Sequence, residues 1–239
     1  MMKLSVVVPV YNEEKTIEQI VEKICFLKIK GVILEIVIIN DASTDRTKVL
    51  LQSLSRKYSN LIIVNHSSNQ GKGAAVRTGF KNTTGDYIVI QDADLEYDPQ
   101  NFKFLLQPII EKKTQVVYGT RLKKIPKKNG SMSRVRFLLH FFGNRSLSLI
   151  TSILYGQWIT DMETCYKIFP RSFIKNIKLV GTGFEFEPEI TAKLIKAGYK
   201  IFEIPITTNP RGANEGKKLN TVRDGILALM TLVKYRFSN

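Results

Sequence analysis

Three carboxylates at alternate positions, Asp92, Asp94 and Glu96, directly follow the β-branched and aromatic run Tyr87-Ile88-Val89-Ile90. That run reads as a short buried strand, and in an extended chain residues two apart point the same way. Carboxylates crowded like this repel one another unless a cation or protons offset their charge. Hard oxygen donors at a strand end suit Mg²⁺ or Mn²⁺, which keep coordination positions open for substrate phosphates. The competing reading is an acidic turn before a helix, with Asp98 as cap and Pro99 in the first turn.

Other chemistry is thinly supplied. The two cysteines, Cys25 and Cys165, cannot form a disulfide framework or a Cys-rich zinc site. The two histidines, His66 and His140, stand far apart without ligand-like neighbours, which argues against a zinc enzyme or a Ser-His-Asp relay. Gly71-Lys72-Gly73-Ala74-Ala75-Val76 begins like a dinucleotide fingerprint, with Asp92 about 20 residues onward. Its sixth position is valine, however, and the first strand-to-helix turn, where that fingerprint normally lies, reads Tyr11-Asn12-Glu13-Glu14.

These residues need a frame to bring them together. Leu4 to Pro9 is an almost continuous apolar run, as in a sheet covered on both faces. A helix follows with Ile17, Ile20, Val21, Ile24 and Leu27 on one stripe; Asn12 is its expected N-cap, and Gly31 ends the unit. Glu35 to Ile39 is a second buried strand, and Asn40 to Asp45 caps a helix with Val49, Leu50 and Leu54 on its apolar side. Leu61 to Val64 is a third strand and Gly73 to Phe80 a third helix, before Gly85-Asp86 turns into the strand ahead of Asp92. Strand alternating with helix predicts an α/β fold with a mostly parallel sheet and helices on both faces. Ligands bind beyond the carboxyl ends of such strands. That edge collects Pro9, Tyr11 and Glu13, then Asn40 and Asp41, then Asn69 to Gly71, then Asp92 and Asp94.

Downstream, Phe102 to Ile110 reads as one amphipathic helix and Gln115 to Gly119 as a fifth strand ending in Thr120-Arg121. Lys123 to Gly130 is a basic, turn-rich loop. A long helix, capped by Ser133 and running to Leu154, is apolar but interrupted by Arg145, so it does not span a membrane. It fits buried core and a membrane surface equally well. Asp161 to Phe169 reads as a strand with an acidic start. A helix opens at Phe184, where Glu185, Glu187 and Glu189 suit the positive helix end and are read as mostly structural. Lys200 to Pro205 is a last strand, Arg211 to Lys218 a glycine-broken basic loop, and Thr221 to Phe237 a final helix. Lys234 and Arg236 near its end suit the helix dipole and anionic headgroups alike.

The 239 residues are 44% hydrophobic, enough for a single domain with an ample core. Lysine and arginine total 36 against 21 acidic residues, a balance that attracts nucleic acid, anionic lipid or phosphorylated small molecules; a solvated basic surface is the plain alternative. A nucleic-acid-binding module is the remote reading, since no aromatic or helix-turn-helix signature accompanies the charge. The chain starts straight into a strand without a signal-peptide block, and with few cysteines this predicts the cytoplasm.

Taken together, Val7-Val8-Pro9-Val10-Tyr11-Asn12-Glu13-Glu14, Asn40-Asp41-Ala42-Ser43-Thr44-Asp45, Gly71-Lys72-Gly73 and Gln91-Asp92-Ala93-Asp94 resemble the inverting family 2 glycosyltransferases. Gly119-Thr120-Arg121, Asp161 to Lys167, and Arg211 with Glu215-Gly216-Lys217 add a resemblance to the dolichol- or polyprenyl-phosphate sugar synthases. The resemblance implies a GT-A fold over residues 1–239 and a UDP- or GDP-linked sugar donor. It also implies a polyprenyl phosphate acceptor and a peripheral site on the cytoplasmic face of a membrane. Pro9, Tyr11 and Glu13 would line the nucleoside pocket, with Asp41 accepting from the base and Gly71 and Lys72 beside it. Asp92, Asp94 and Glu96 would hold Mg²⁺ or Mn²⁺ at the donor diphosphate; related synthases often carry Gln where this chain has Glu96.

An acceptor phosphate is already anionic, so its attack on the anomeric carbon does not require a strong base. The reaction does require neutralised phosphates, for which Arg121, Arg136, Arg211 and Lys217 are the candidates. Asp161 would position the sugar or an acceptor-side cation. In family 2 enzymes with hydroxyl acceptors, an acidic residue in this region is instead the general base, and that is the alternative function. A nucleotidyltransferase lacks support, because the first strand-to-helix turn carries no glycine-rich basic signature. Many relatives continue into transmembrane helices. Here the helices near 133–154 and 221–237 would hold the membrane surface between them.

Overall fold

The computed structural model describes residues 1–121, 134–209 and 221–238, with side chains left out for 134–140 and 221–222. The first half alternates as expected: β1 (Met2–Val10), α1 (Ile17–Cys25), β2 (Val32–Asn40), α2 (Thr47–Lys57), β3 (Leu61–Asn65), α3 (Lys72–Lys81) and β4 (Tyr87–Ile90). A 3-10 turn at Pro99–Asn101 leads to α4 (Phe102–Leu105), α5 (Gln107–Ile110) and β5 (Val116–Thr120). The second half contains α6 (Arg134–Tyr155), β6 (Lys167–Pro170), α7 (Arg171–Lys175), α8 (Phe186–Lys196), β7 (Ile201–Pro205) and α9 (Thr221–Phe237).

The strands form one seven-stranded sheet in the order β3-β2-β1-β4-β6-β5-β7. Every neighbouring pair is parallel except those made by β6, which runs antiparallel to both β4 and β5. Leu4, Val6, Val7 and Val8 are all fully buried, as a central strand covered on both faces must be. The register sets Val10 beside Asn40 and Asn40 beside Asn65, so the polar ends of three strands lie level along one edge.

Several local expectations need correction. Asn12 is not a helix cap: it adopts a left-handed φ of 51°, its Oδ1 accepts from the backbone N–H of Thr44 at 2.8 Å, and α1 starts only at Ile17. On α2 the buried stripe is Thr47, Leu51 and Leu54, spaced i, i+4 and i+7, which leaves Val49 61% exposed. The expected helix from Phe102 to Ile110 is two short pieces, because Pro108 in the first turn of α5 has no amide to continue the ladder. Only Lys167–Pro170 of the expected strand from Asp161 is a strand. Upstream of it, backbone N–H groups are taken by side chains: Asp161 by Glu203, Met162 by Ser148 and Cys165 by Tyr97, at 3.0 to 3.2 Å. A segment with its donors spent this way cannot join a ladder.

Candidate active site

A cavity of about 470 Å³ opens at the carboxyl ends of β1, β2, β4 and β5. Because β6 is antiparallel, the residues that precede it return to the same edge. Following the sheet outward, the wall is made by Asp41 after β2, Pro9, Tyr11 and Glu13 at the end of β1, and Asp92, Asp94 and Glu96 after β4. Glu163 and Cys165 ahead of β6 and Arg121 after β5 complete that series. Gly71 and Lys72 at the start of α3 and Phe184 and Glu187 at the start of α8 close the cavity together, with Lys72 Nζ 3.5 Å from Glu187 and 5.9 Å from the Phe184 ring. Ten of the residues picked from sequence therefore share one cavity. Arg211 and Lys217 lie outside the described residues, as does the side chain of Arg136.

At the β2 end, Asp41 is nearly buried and already grips three donors. Its Oδ1 lies 2.7 Å from His66 Nδ1 and 2.9 Å from the Gln70 N–H, and its Oδ2 accepts the Gly71 N–H at 2.8 Å. A carboxylate offers about four acceptor positions, so Oδ2 keeps one for a ligand. His66, held in turn by Thr78 at 2.9 Å, is a supporting residue that nothing in the linear sequence marks. Backbone strain collects at this rim, with Asn12, Ala42 and Leu95 all at left-handed φ values of 51° to 64°.

The acidic turn is held from below by Gln91, whose Nε2 donates to the Asp92 and Tyr97 carbonyls at 3.0 and 3.2 Å while its Oε1 accepts from Tyr166. The crowding of three carboxylates is not observed: among the described residues no three His, Cys, Asp or Glu side chains converge on one point. The reason is Leu95, whose φ of 64° breaks the extended alternation that would aim all three together. Asp94 Oδ1 accepts the Glu96 N–H at 3.0 Å, and Asp92 Oδ1 lies 2.8 Å from Lys72 Nζ. Burial would weaken both charges of that pair, yet each stabilises the other: the Lys72 ammonium is held well above its usual pKa and the Asp92 carboxyl below its own. One or two carboxylates on a shared cavity wall, with substrate phosphates completing the shell, is an arrangement Mg²⁺ commonly takes. The donor set fits such an ion in that form, not as a three-carboxylate cage.

Arg121 and Asp161 are brought together as a two-pronged ion pair. Arg121 Nε donates to Asp161 Oδ2 and Nη2 to Oδ1, both at 2.7 Å, and the Arg121 N–H adds a third bond at 2.9 Å. Asp161 is fully buried and does not face the cavity; Arg121 does, with its guanidinium 5.8 Å from the Tyr97 ring. Asp161 therefore positions Arg121, and its own N–H is fixed by Glu203.

The sequence reading missed two acids that line the cavity, Glu163 and Glu187. Glu187, read as structural, lies 3.5 Å from Lys72 Nζ and is hydrogen-bonded to Lys167 Nζ, which also donates to the Thr164 carbonyl. Burial pushes the Glu163 carboxyl up to about 7, with Lys167 and Arg121 pulling it down and Glu187 and Asp161 adding to the rise. The odd acid in an apolar-looking run, Met162-Glu163-Thr164-Cys165, was the available signal. A raised carboxyl pKa favours folding below the unfolded value, and that advantage is lost as pH rises through about 7. Glu163→Gln is therefore expected to stabilise the protein by about 2–3 kcal/mol near pH 8 and by little below about pH 5. Thermal unfolding at both pH values checks this; equal melting shifts at both would contradict it.

Comparison with known proteins gives a consistent outline. A model of glycosyl transferase family 2 matches residues 5–178. The chain is 29% identical over 243 residues to the dolichol-phosphate mannosyltransferase of Pyrococcus furiosus, covering 98% of this chain and 64% of that protein. It is 30% identical over 218 residues to a dolichyl-phosphate beta-glucosyltransferase of Trichomonas vaginalis, covering 86% and 65%. The chain thus spans just under two thirds of the length of these two relatives. Among solved structures, glucosyl-3-phosphoglycerate synthase of Mycobacterium tuberculosis, in complex with Mn²⁺, UDP and phosphoglyceric acid, superposes with a TM-score of 0.73 at 19% identity, covering 99% and 79%. Mannosyl-3-phosphoglycerate synthase of Rubrobacter xylanophilus gives 0.72 at 18% identity, covering 98% and 73%. At those identities the likeness is one of fold.

Proposed function

The chain belongs to glycosyl transferase family 2, and from that membership we propose that it transfers a sugar, with inversion, from a nucleoside-diphosphate sugar to a polyprenyl phosphate. The observation that carries this reading is the order of groups along one cavity wall: Asp41, then Asp92 and Asp94, then Glu163 and Arg121. That order matches a base, a diphosphate, a sugar and an acceptor phosphate laid end to end across the sheet.

In this reading Pro9, Tyr11 and Glu13 enclose the nucleoside, Asp41 uses its open Oδ2 position on the base, and Gly71 and Lys72 lie beside it. Asp92 and Asp94, with Glu96 beside them, would hold Mg²⁺ or Mn²⁺, and the chemistry such an ion would supply is neutralisation of diphosphate charge. Lys72 shifts its charge between Asp92 and the donor phosphates. An acceptor phosphate oxygen attacks the anomeric carbon as the bond to the diphosphate oxygen breaks, and the nucleoside diphosphate leaves with that electron pair. Arg121, oriented by Asp161, neutralises the acceptor phosphate. Asp161 is fully buried with both oxygens bound by Arg121, which favours this acceptor over a hydroxyl that needs Asp161 as its base.

No described helix is long and apolar enough to cross a membrane. Two helices still carry exposed apolar stripes: Phe142, Leu149 and Ile153 on α6, and Ile226, Met230, Val233 and Phe237 on α9, each at helical spacing. Exposed Lys234 and Arg236 flank the second stripe. We take these as the surface that meets an anionic bilayer on the cytoplasmic side. Ala228, Leu232 and Tyr235 pack α9 inward, so deleting that helix would damage the fold. Ile226→Glu with Met230→Glu is expected to lower sedimentation with anionic vesicles at least about tenfold without lowering the melting temperature. Unchanged sedimentation would remove α9 from the membrane surface.

The donor half is tested by thermal shift with UDP, GDP and their sugars, with and without Mn²⁺. One nucleotide series is expected to stabilise the protein, and only with metal. Metal-independent stabilisation, or none by either series, would count against the reading.

A further inference from the structure

Among the described residues, four buried side-chain oxygens form no hydrogen bond: Tyr58 Oη, Glu163 Oε1, Thr164 Oγ1 and Glu187 Oε1. Three of these belong to one cluster, since Lys167 links Thr164 to Glu187 and Glu163 precedes Thr164. Of the three, Glu163 and Glu187 line the cavity, and Glu187 Oε1 lies 3.5 Å from Lys72 Nζ, which leaves Glu163 Oε1 as the open acceptor. Buried polar atoms ordinarily find partners, so an acceptor left open on a cavity wall points to a ligand that brings a donor.

Position narrows the ligand. In the sheet, β6 lies between β4, which ends in the Asp92 turn, and β5, which ends in Arg121. Glu163, just ahead of β6, therefore sits between the groups assigned to the donor diphosphate and to the acceptor phosphate. An open carboxyl oxygen needs a hydrogen-bond donor, which a fully ionised phosphate lacks, and the nucleoside lies at the opposite end of the wall. A sugar supplies neutral hydroxyl donors and occupies that interval if the proposed transfer is right, on which this inference rests. We propose that Glu163 binds a hydroxyl of the transferred sugar and sets which sugar the cavity accepts. The charged groups facing Glu163 are Lys167, Arg121, Glu187 and Asp161, and in either protonation state its carboxyl can pair with a hydroxyl.

Calorimetry separates the sugar from the nucleotide. Wild type, Glu163→Ala and Glu163→Gln are titrated in Mn²⁺ with UDP and GDP and with their glucose, galactose and mannose derivatives. For Glu163→Ala, nucleoside diphosphate affinity is expected to stay within about twofold of wild type, while affinity for the preferred nucleotide sugar falls at least about tenfold. Glu163→Gln keeps the size of the side chain and serves where the alanine variant does not fold. It is expected to hold the nucleoside diphosphate as wild type does and to change the rank order of the sugars. Unchanged sugar affinity and ranking, or an equal fall for nucleotide and nucleotide sugar, would overturn the assignment. Wild type that binds no nucleoside diphosphate at all would fail at the earlier step and overturn the transferase reading with it.

Discussion

Asp94→Asn is expected to abolish metal-dependent donor turnover while leaving the melting temperature near that of wild type. The substitution keeps the side-chain shape and the Oδ1 that accepts the Glu96 N–H, and removes only the negative charge. Loss of one anionic contact to the centre that neutralises a leaving group costs on the order of 10²–10³ in turnover. Asp92→Asn should differ in kind. It leaves Lys72, now 2.8 Å from a neutral amide, without its nearer partner, so stability falls together with activity. Steady-state rates at saturating Mn²⁺, read beside thermal unfolding, separate the two. Full turnover in Asp94→Asn would remove this residue from the donor site.

The second large effect lies at the other end of the cavity. Arg121→Ala strands the fully buried Asp161 carboxylate, and breaking a buried pair in this way typically costs about 3–5 kcal/mol. Arg121→Ala combined with Asp161→Asn should recover much of that stability, because no buried charge is then left unpaired. Transfer should stay lost in the double variant, since the cation facing the acceptor is gone. If Asp161 were instead a general base, Asp161→Asn alone would cost orders of magnitude in rate and remove the acidic limb of the pH–rate profile, where that base becomes protonated, at preserved acceptor affinity. Denaturant unfolding of the cycle, with transfer rates of each variant, tells the two roles apart.

The parallel half of the fold was legible because each strand there is a dense β-branched run and each helix a clear apolar stripe. Val6 to Val8 and Ile36 to Ile39 are fully buried, as such runs require. Most of the cavity wall was legible for the same reason: polar residues directly after buried strands have one place to go. What escaped depended on distant partners. The loop from Asp161 to Tyr166 looks like a strand by composition, and is one by neither backbone nor pairing, because Glu203, Ser148 and Tyr97 claim its N–H groups. Period-two spacing misled at Asp92, Asp94 and Glu96, where a single left-handed residue, Leu95, redirects the side chains. Glu187 was taken for a helix-start acid, and its bond to the fully buried Lys167 spans 20 residues of sequence. Periodicity carries no trace of such a pairing.

The most direct measurement of the central claim is transfer itself. The protein is incubated with Mn²⁺, a sugar-labelled nucleotide donor and a short-chain polyprenyl phosphate, beside the matching polyprenol that lacks the phosphate. The predicted result is label in the organic phase with the phosphate acceptor alone, matched mole for mole by released nucleoside diphosphate and lost in Asp94→Asn. Label that follows the polyprenol, or that stays in water on a soluble acceptor, would contradict it.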